Sequence, residues 1–160
     1  MPKIDRKLIS KKADIVADLK KIIKSENVLD NDDEIRPFET DALSAYKQKA
    51  LAVVFPENTK EVSKILSYCN GERIKVVPRG GGTGLSGGAL PLKDGILLCL
   101  GKFNKIINID YKNRCVVAQS GVTNLSITEA VEDKGFYYAP DPSSQIACSI
   151  GGNVAENSGG

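Results

Sequence analysis

The sequence places six glycines among the nine residues from Gly80 to Gly88, directly after an apolar, strand-like segment, Ile74 to Val77. Glycine has no Cβ and accepts positive φ, so successive backbone N–H groups in such a run can converge on one anion. Arg79 adds a fixed charge, and Thr83 and Ser86 add hydroxyls. The run therefore indicates a phosphate-binding loop, and a loose surface loop is the alternative that glycine content leaves open.

Two familiar phosphate loops fit this run poorly. A P-loop must end in Gly-Lys-Ser or Gly-Lys-Thr, and neither tripeptide occurs in the chain. The dinucleotide fingerprint G-x-G-x-x-G is present at Gly82, Gly84 and Gly87, but it requires a following helix and an acidic ribose ligand. Pro91 and its neighbouring turn residues block a helix, and the stretch around Lys102 has no carboxylate. A Rossmann-type NAD site is therefore disfavoured.

A second glycine-bearing segment lies close to the end of the sequence, and the two segments together resemble one family. They are R-G-G-G-T-G-L-S-G-G-A-L-P-L at Arg79–Leu92 and Y-A-P-D-P-S-S-Q-I-A-C-S-I-G-G-N-V-A-E-N at Tyr138–Asn157. The pair resembles the FAD-binding domain of the vanillyl-alcohol oxidase or p-cresol methylhydroxylase (PCMH) superfamily. The similarity is strongest to the branch that contains the D subunit of bacterial glycolate oxidase and FAD-linked D-lactate dehydrogenase. Residues before about Glu39 contribute little to it.

This resemblance implies an α+β fold: a PCMH-type FAD-binding domain of two α+β subdomains, the second incomplete in this chain, with the flavin in a groove between them. We expect an N-terminal helical extension at residues 1–38 and the FAD-binding domain at residues 39–160. The first glycine loop would bind the pyrophosphate, and the second segment would line the ribityl chain and the isoalloxazine. The residues assigned to the cofactor in this way are Pro78, Arg79, Gly80, Gly81, Gly82, Thr83, Gly84, Ser86, Pro140, Asp141, Ser143, Ser144, Ser149, Gly151, Gly152 and Asn153.

The chemistry of these residues agrees with the assignment. Glycine-loop amides suit a diphosphate with about two negative charges, and Pro78 would stiffen the entry to the loop. Two prolines, Pro140 and Pro142, fix the backbone around Asp141, for which a turn or helix cap is at least as good a reading as ligand contact. The adjacent pair Gly151–Gly152 would let the backbone approach a flat ring closely.

The chain has no histidine and four cysteines at positions 69, 99, 115 and 148 without C-x-x-C spacing. We therefore expect no metal site. Some members of the superfamily attach FAD through a histidine, so any FAD bound here is expected to be non-covalent. Cys69 and Cys99 occupy apolar-patterned positions and are predicted to be core residues, in a protein of a reducing compartment. Packing is also the favoured role for Cys148, although it lies inside the second segment.

The resemblance further implies that the chain is the FAD-binding portion of an oxidoreductase that converts a 2-hydroxy acid, such as glycolate or D-lactate, to the 2-oxo acid. Relatives continue beyond this chain, so the catalytic residues are unknown and the substrate would bind the missing C-terminal domain. Expected partners include other glycolate oxidase subunits, one of them an iron–sulfur subunit. The alternatives are a truncated or split-gene product that is at most a flavin-binding module, and a reductase like the muramate-forming enzyme.

Charge and hydropathy bound the location and the partners. The formal net charge of +2 gives no reason to expect a nucleic-acid partner. Residues 1–27 are lysine-rich with apolar residues at helical spacing, which predicts an amphipathic helix and no signal peptide. No apolar run is long enough to span a bilayer. We expect a cytoplasmic protein, with peripheral attachment at the inner face of the membrane as an option.

Local patterns predict the elements between the motifs. The acidic stretch Asp30–Glu34 is expected to be a polar link, and a small parallel β-α-β unit should follow it. A hairpin around Lys112-Asn113 should open the second subdomain with an exposed sheet edge. The predicted elements are strands at Leu51–Phe55, Lys75–Pro78 and Ile96–Leu100, a helix capped by Asn58 and Glu61 and stopped by Gly71, the hairpin from Ile107 to Ala118, and a helix from Asn124 to Asp133 ended by Gly135. The first of these helices should place Val62, Ile65, Leu66 and Cys69 on one inward face.

Overall fold

The computed structural model describes residues 4–160, which divide into two compact units. Unit 1 contains the chain up to Arg79 together with Gly84–Cys99, and unit 2 contains Gly80–Thr83 together with Leu100–Gly160. The glycine run is therefore shared between the units. The expected boundary between residues 38 and 39 stays a prediction. Within residues 4–160, no helix has the length and apolar character needed to cross a lipid bilayer.

In the described part of the chain, unit 1 contains a four-stranded sheet and four α-helices, which precede its first strand or connect its strands. The strand order is β1-β2-β4-β3; β4 is parallel to both neighbours, and β1 is antiparallel to β2. The elements are α1 (Arg6–Ser10), α2 (Lys12–Ile22), β1 (Val28–Leu29), α3 (Asp32–Ile35), β2 (Ala52–Val54), α4 (Thr59–Gly71), β3 (Lys75–Arg79) and β4 (Gly95–Cys99).

The predicted β-α-β unit is present, but β2 and β3 do not pair with each other because β4 lies between them. All five residues of β4 are buried, which suits a central strand covered on both faces. Pro78 in β3 has no N–H to donate to a second neighbour, so β3 belongs at the edge of the sheet. Pairing between distant strands therefore decided an order that local patterns did not contain.

Helix α4 begins as its sequence predicts. Asn58 Oδ1 accepts a hydrogen bond from Glu61 N at 3.0 Å, and the Glu61 carboxylate accepts one from Glu57 N at 2.7 Å. Ile65 and Cys69 are buried as expected, since residues four apart share a helix face. Leu66 is 44% exposed, so its predicted inward position was wrong. Its place is about 100° around the helix from Ile65.

The acidic stretch predicted as a polar link, Asp30–Glu34, contains no buried residue, but it forms most of the short helix α3, whose last residue enters the core. Asn31 caps α3 through a hydrogen bond from Asp33 N, and the helix ends in Ile35, which is 1% exposed. Ile35 belongs to a buried cluster with Val53 and Leu97 of the sheet. The acidic residues of this short helix are exposed to solvent, and the buried Ile35 directly follows them in the sequence.

Unit 1 also contains a buried ion pair. Asp94 is 2% exposed, and its Oδ2 accepts hydrogen bonds from Lys75 Nζ at 2.7 Å and from Asp5 N at 2.6 Å. Burial favours the neutral carboxyl, but the hydrogen bonds from Lys75 and Asp5 outweigh it, so the pKa of Asp94 is lowered. The contact with Asp5 joins the start of α1 to the turn before β4.

Unit 2 contains the predicted hairpin and two short helices. The strands β5 and β6 pair antiparallel with a register shift between Ile106 and Asn108, and within the described chain they form a sheet of their own. Arg114 turns the chain with a φ of 54°, and Gly135 does so with a φ of 75°. The helix predicted to reach Asp133 ends earlier and continues as a 3-10 turn. The elements are β5 (Ile106–Asp110), β6 (Cys115–Ala118), α5 (Asn124–Glu129), the 3-10 turn Glu132–Lys134 and α6 (Ile150–Glu156).

Candidate functional site

The start of the first glycine motif packs directly on the second motif. A Cβ built on Gly80 would overlap Ser149 Oγ, and one built on Gly81 would overlap the carbonyl oxygen of Ala147 and lie 3.3 Å from Cys148 Cα. All these residues belong to unit 2. The structure therefore brings together parts of the two motifs that lie more than sixty positions apart in the sequence, Gly80–Gly81 and Ala147–Ser149, and glycine is required where they meet.

The remainder of the glycine run, in unit 1, is open. No atom of the chain lies within 4 Å of a Cβ built on Gly84, and Leu85 is 72% exposed. Gly87 has a φ of 76°, a conformation in which a side chain is strained. Ser86 is also exposed, so its hydroxyl is accessible. This half of the run is therefore shaped by a turn and by free space, and not by packing.

The loop amides fit an anionic group. Among residues 4–160, no hydrogen bond within the chain uses the backbone N–H groups of Gly81, Gly82 and Thr83 in unit 2, or those of Gly84 and Ser86 in unit 1. Backbone donors without a partner in the chain are the groups that a diphosphate binds. Each part of the loop thus offers backbone donors that an anionic group could use.

The second motif is held by backbone hydrogen bonds. Ser149 caps α6, its Oγ accepting from Gly152 N at 3.3 Å, and Gly151 N donates to Ser120 O at 2.9 Å. A Cβ on Gly151 would lie only 2.7 Å from Ser120 Cβ. The packing against Ser120 therefore already explains Gly151, whereas a Cβ on Gly152 would meet only Ser149 Oγ, at 3.1 Å.

The proline-containing part of the second motif forms a turn in which Pro142 is buried. Gln145 N donates to Pro142 O at 2.8 Å, and Cys148 N donates to Ser144 O at 2.7 Å. Asp141 and Ser143 are exposed. Within the described residues no amide donates to the Asp141 carboxylate, so the expected capping role has no support and the side chain is available to a ligand.

Arg79, predicted to add a charge to the phosphate loop, is held by other residues of unit 1. Its guanidinium donates to Thr40 O at 2.7 Å and to Phe38 O at 3.4 Å, and its Cζ lies 5.8 Å from the centroid of the Phe38 ring. These contacts fix the strand end from which the glycine run departs. Pro78, beside it, is exposed.

Two buried polar residues were missed by sequence reasoning: Asn124, which contacts the second motif, and Asp41 of unit 1. Asn124 is 1% exposed; its Nδ2 donates to Pro140 O at 2.9 Å, and its Oδ1 accepts from Asn153 Nδ2 at 2.6 Å. Asp41 is 5% exposed; its Oδ1 accepts from Leu43 N, but its Oδ2 is buried without a hydrogen-bond partner. Neither residue lies in a recognisable motif. An unpaired buried carboxylate oxygen is unfavourable unless a ligand or water satisfies it.

Comparison with known proteins identifies the family of the chain. The family described as FAD binding domain matches residues 50–160, which is most of the chain. The chain belongs to this family of FAD-binding domains, and FAD is its cofactor. The PCMH-type α+β fold expected from the sequence is thereby confirmed.

The relatives place the chain more closely. It is 48% identical over 160 residues to glycolate oxidase subunit GlcD of Escherichia coli (strain K12), a match that covers 100% of this chain and 31% of the relative. It is 38% identical over 148 residues to the probable mitochondrial D-2-hydroxyglutarate dehydrogenase of Oryza sativa subsp. indica, covering 92% of this chain and 26% of the relative. The chain therefore spans less than a third of the length of these curated relatives.

A solved structure supports the fold by itself. The structure of alkyldihydroxyacetonephosphate synthase superposes with a TM-score of 0.79 at 18% sequence identity, covering 89% of this chain and 29% of that one. At this identity the likeness shows the fold alone.

Proposed function

We propose that the chain is the FAD-binding portion of an oxidoreductase that converts a 2-hydroxy acid, such as glycolate or D-lactate, to the corresponding 2-oxo acid. The observation that carries the proposal is the packing of Gly80 and Gly81 on Ala147–Ser149, which joins the two motifs of an FAD-binding domain. The names of the relatives supply the substrate class, since glycolate and D-2-hydroxyglutarate are both 2-hydroxy acids. FAD, when bound, would supply the two-electron acceptor for the oxidation.

The role of this chain in that activity is to bind and orient the cofactor. We assign the amides of Gly81–Gly84, with the Thr83 and Ser86 hydroxyls, to the diphosphate, because these groups are free to donate. Arg79 supports the loop through Phe38 and Thr40 and does not contact the phosphate in this proposal. The remaining proposed cofactor contacts come from the second motif: Pro140, Asp141, Ser143, Ser144, Ser149 and Gly152.

The first test is FAD binding, followed by quenching of flavin fluorescence and by the visible absorption spectrum. Gly84→Val is the informative variant, because no atom of the chain lies within 4 Å of a Cβ at this position. The variant should fold normally and yet crowd the loop, raising the Kd for FAD about tenfold or more if two loop hydrogen bonds are lost. Gly101→Val is the matched control, since Gly101 also faces open space and lies outside both motifs.

Two results would contradict the proposal. If the purified, folded protein does not bind FAD, the cofactor role fails. If Gly84→Val binds FAD as tightly as the unmodified protein, the glycine run is not the diphosphate site. The substrate class is tested separately by adding glycolate, D-lactate or D-2-hydroxyglutarate anaerobically to the FAD-loaded full-length protein. If none of these three acids bleaches the flavin absorption, the proposal that the substrate is a 2-hydroxy acid is rejected.

Partners and location follow from the same relatives. A protein similar to a named glycolate oxidase subunit is proposed to assemble with further subunits, among them an iron–sulfur subunit. Co-purification from cells that express all the subunits, with and without the residues of this chain, tests the assembly. Fractionation of the same lysates tests the proposed cytoplasmic location and any association with the membrane.

A further inference from the structure

We propose that Asn124 and Asn153 are a pair of positioning residues that hold the Pro140 segment in the geometry needed to bind the flavin. The proposal rests on the proposed function, since it concerns the same cofactor site. Asn124 lies at the start of α5, and Asn153 lies in the middle of α6. Asn153, which the sequence predicts to bind the cofactor, donates its Nδ2 to Asn124. In this inference neither asparagine contacts FAD, and both act through the backbone of the second motif.

The contacts define a chain of two hydrogen bonds. Asn124 Nδ2 donates to Pro140 O at 2.9 Å, and Asn153 Nδ2 donates to Asn124 Oδ1 at 2.6 Å. The Pro140 carbonyl can only accept, so Asn124 must present its NH₂ group there and its oxygen to Asn153. Asn153 must in turn present its NH₂ group. The orientation of both amides is thus set by one backbone carbonyl.

The Pro140 segment, residues 139–142, needs such a support because few hydrogen bonds of its own backbone hold it in place. Pro140 and Pro142 have no N–H group, and residues 139–142 belong to no helix or strand. On the N-terminal side, the segment is anchored by the hydrogen bond from Tyr138 N to Thr128 Oγ1 at 3.1 Å. The Asn124 contact is the next anchor along the chain, and it fixes the carbonyl that immediately precedes Asp141.

The pair also connects the two halves of the second motif. Asn153 directly follows Gly151–Gly152, and hydrogen bonds of the described residues link it to the Pro140 segment through Asn124. Asn124 is 1% exposed and Asn153 is 9% exposed, so water competes little for these bonds. Buried amides that satisfy each other specify one geometry, and a half-satisfied pair does not. Removal of Asn124 should therefore free both halves, whereas removal of Asn153 should only loosen Asn124.

A double-mutant cycle tests this order. The variants are Asn124→Leu, Asn153→Leu and the double variant, with Asn108→Leu as the control on the exposed part of β5. We expect the Kd for FAD to rise about tenfold in Asn124→Leu and about threefold in Asn153→Leu, with the double variant equal to Asn124→Leu because the effects are coupled. The absorption maxima of flavin bound at saturating FAD should shift in Asn124→Leu and not in the control.

The outcomes separate this inference from the proposed function. If the unmodified protein fails to bind FAD, the proposed function fails. If it binds and Asn124→Leu binds equally with an unchanged flavin spectrum, or if the two effects simply add, the positioning pair is rejected.

Should Asn124→Leu not fold, Asn153→Ala gives a second measurement by hydrogen–deuterium exchange without flavin. Alanine is favourable in helix α6, so the fold should survive. Exchange of the amides in residues 138–145 should then increase, although the changed residue lies on another element. Unchanged exchange in this segment would overturn the proposal, and an equal increase in Asn108→Ala would do so as well.

Discussion

Replacing Gly81 by alanine should destabilise unit 2, even though the change adds a single methyl group. The new Cβ would overlap the carbonyl oxygen of Ala147 and lie 3.2 Å from its carbonyl carbon and 3.3 Å from Cys148 Cα. All three are backbone atoms, so no side chain can rotate away. Overpacking of this kind costs about 1–3 kcal/mol. In a chain of this size, we expect a fall in Tm of roughly 2–12 °C, since each kcal/mol shifts Tm by about 2–4 °C.

The matched variant, Gly84→Ala, should behave in the opposite way. No atom lies within 4 Å of a Cβ at Gly84, and its φ is not in the left-handed region. Alanine would only restrict the unfolded chain, which stabilises by about 0.4–1 kcal/mol. Thermal unfolding of both variants without flavin, followed by circular dichroism, makes the comparison. If Gly81→Ala leaves Tm unchanged, or if Gly84→Ala lowers Tm as much as Gly81→Ala does, close packing at Gly81 does not explain the need for glycine there.

Three further predictions concern ionisable groups. Burial favours neutral Asp94, but the hydrogen bond from its lysine partner prevails and lowers the pKa of Asp94. The stability that this carboxylate contributes is present above the unfolded pKa of about 3.9 and is lost as the pH falls below it. Urea titrations of Asp94→Asn should therefore show a flatter loss of stability between about pH 5 and 3. Asp41→Asn keeps an acceptor for Leu43 N and removes a buried charge, so the Tm measured without flavin should not fall. If the carboxylate oxygen without a partner accepts a hydrogen bond from a ligand hydroxyl, the affinity for FAD should drop several-fold. An unchanged affinity on titration with FAD would exclude that contact. Burial raises the pKa of Cys69 to about 11 and that of Cys99 to about 12. N-ethylmaleimide at pH 8 should therefore label the exposed Cys115 in the native protein, and should label Cys69 and Cys99 only after unfolding, as measured by mass spectrometry. Labelling of Cys99 in the native protein would contradict its burial.

Local chemistry made several elements readable in advance. The start of α4 follows from Asn58 and Glu61, three residues apart, because a cap is completed within one turn. The β5–β6 hairpin follows from alternation around a turn, and Gly135 follows from the left-handed conformation that glycine adopts most easily. The two glycine-bearing motifs also carried the family, since a phosphate loop and its partner segment are short and continuous in sequence.

Long-range contacts decided what the same patterns could not. The central place of β4 depends on strand pairing across the whole of unit 1, and the anchoring role of Ile35 depends on the cluster that surrounds it. Leu66 fits the apolar spacing of α4 but has no neighbour to cover it, so it stays exposed. Spacing predicts which face of an element a residue occupies, whereas burial depends on what lies opposite.

The division is sharpest within the candidate site. Sequence alone predicted a phosphate-binding loop in the glycine run, and the two glycine-bearing motifs together identified the family. Only the tertiary structure separated Gly81, whose missing side chain makes room for Ala147, from Gly84, which faces open space. It alone also revealed Asn124, since an asparagine at the start of a helix is ordinary until a buried amide and a proline carbonyl are found on either side of it. Such roles arise from contacts between residues far apart in the chain, and folding is what brings them together.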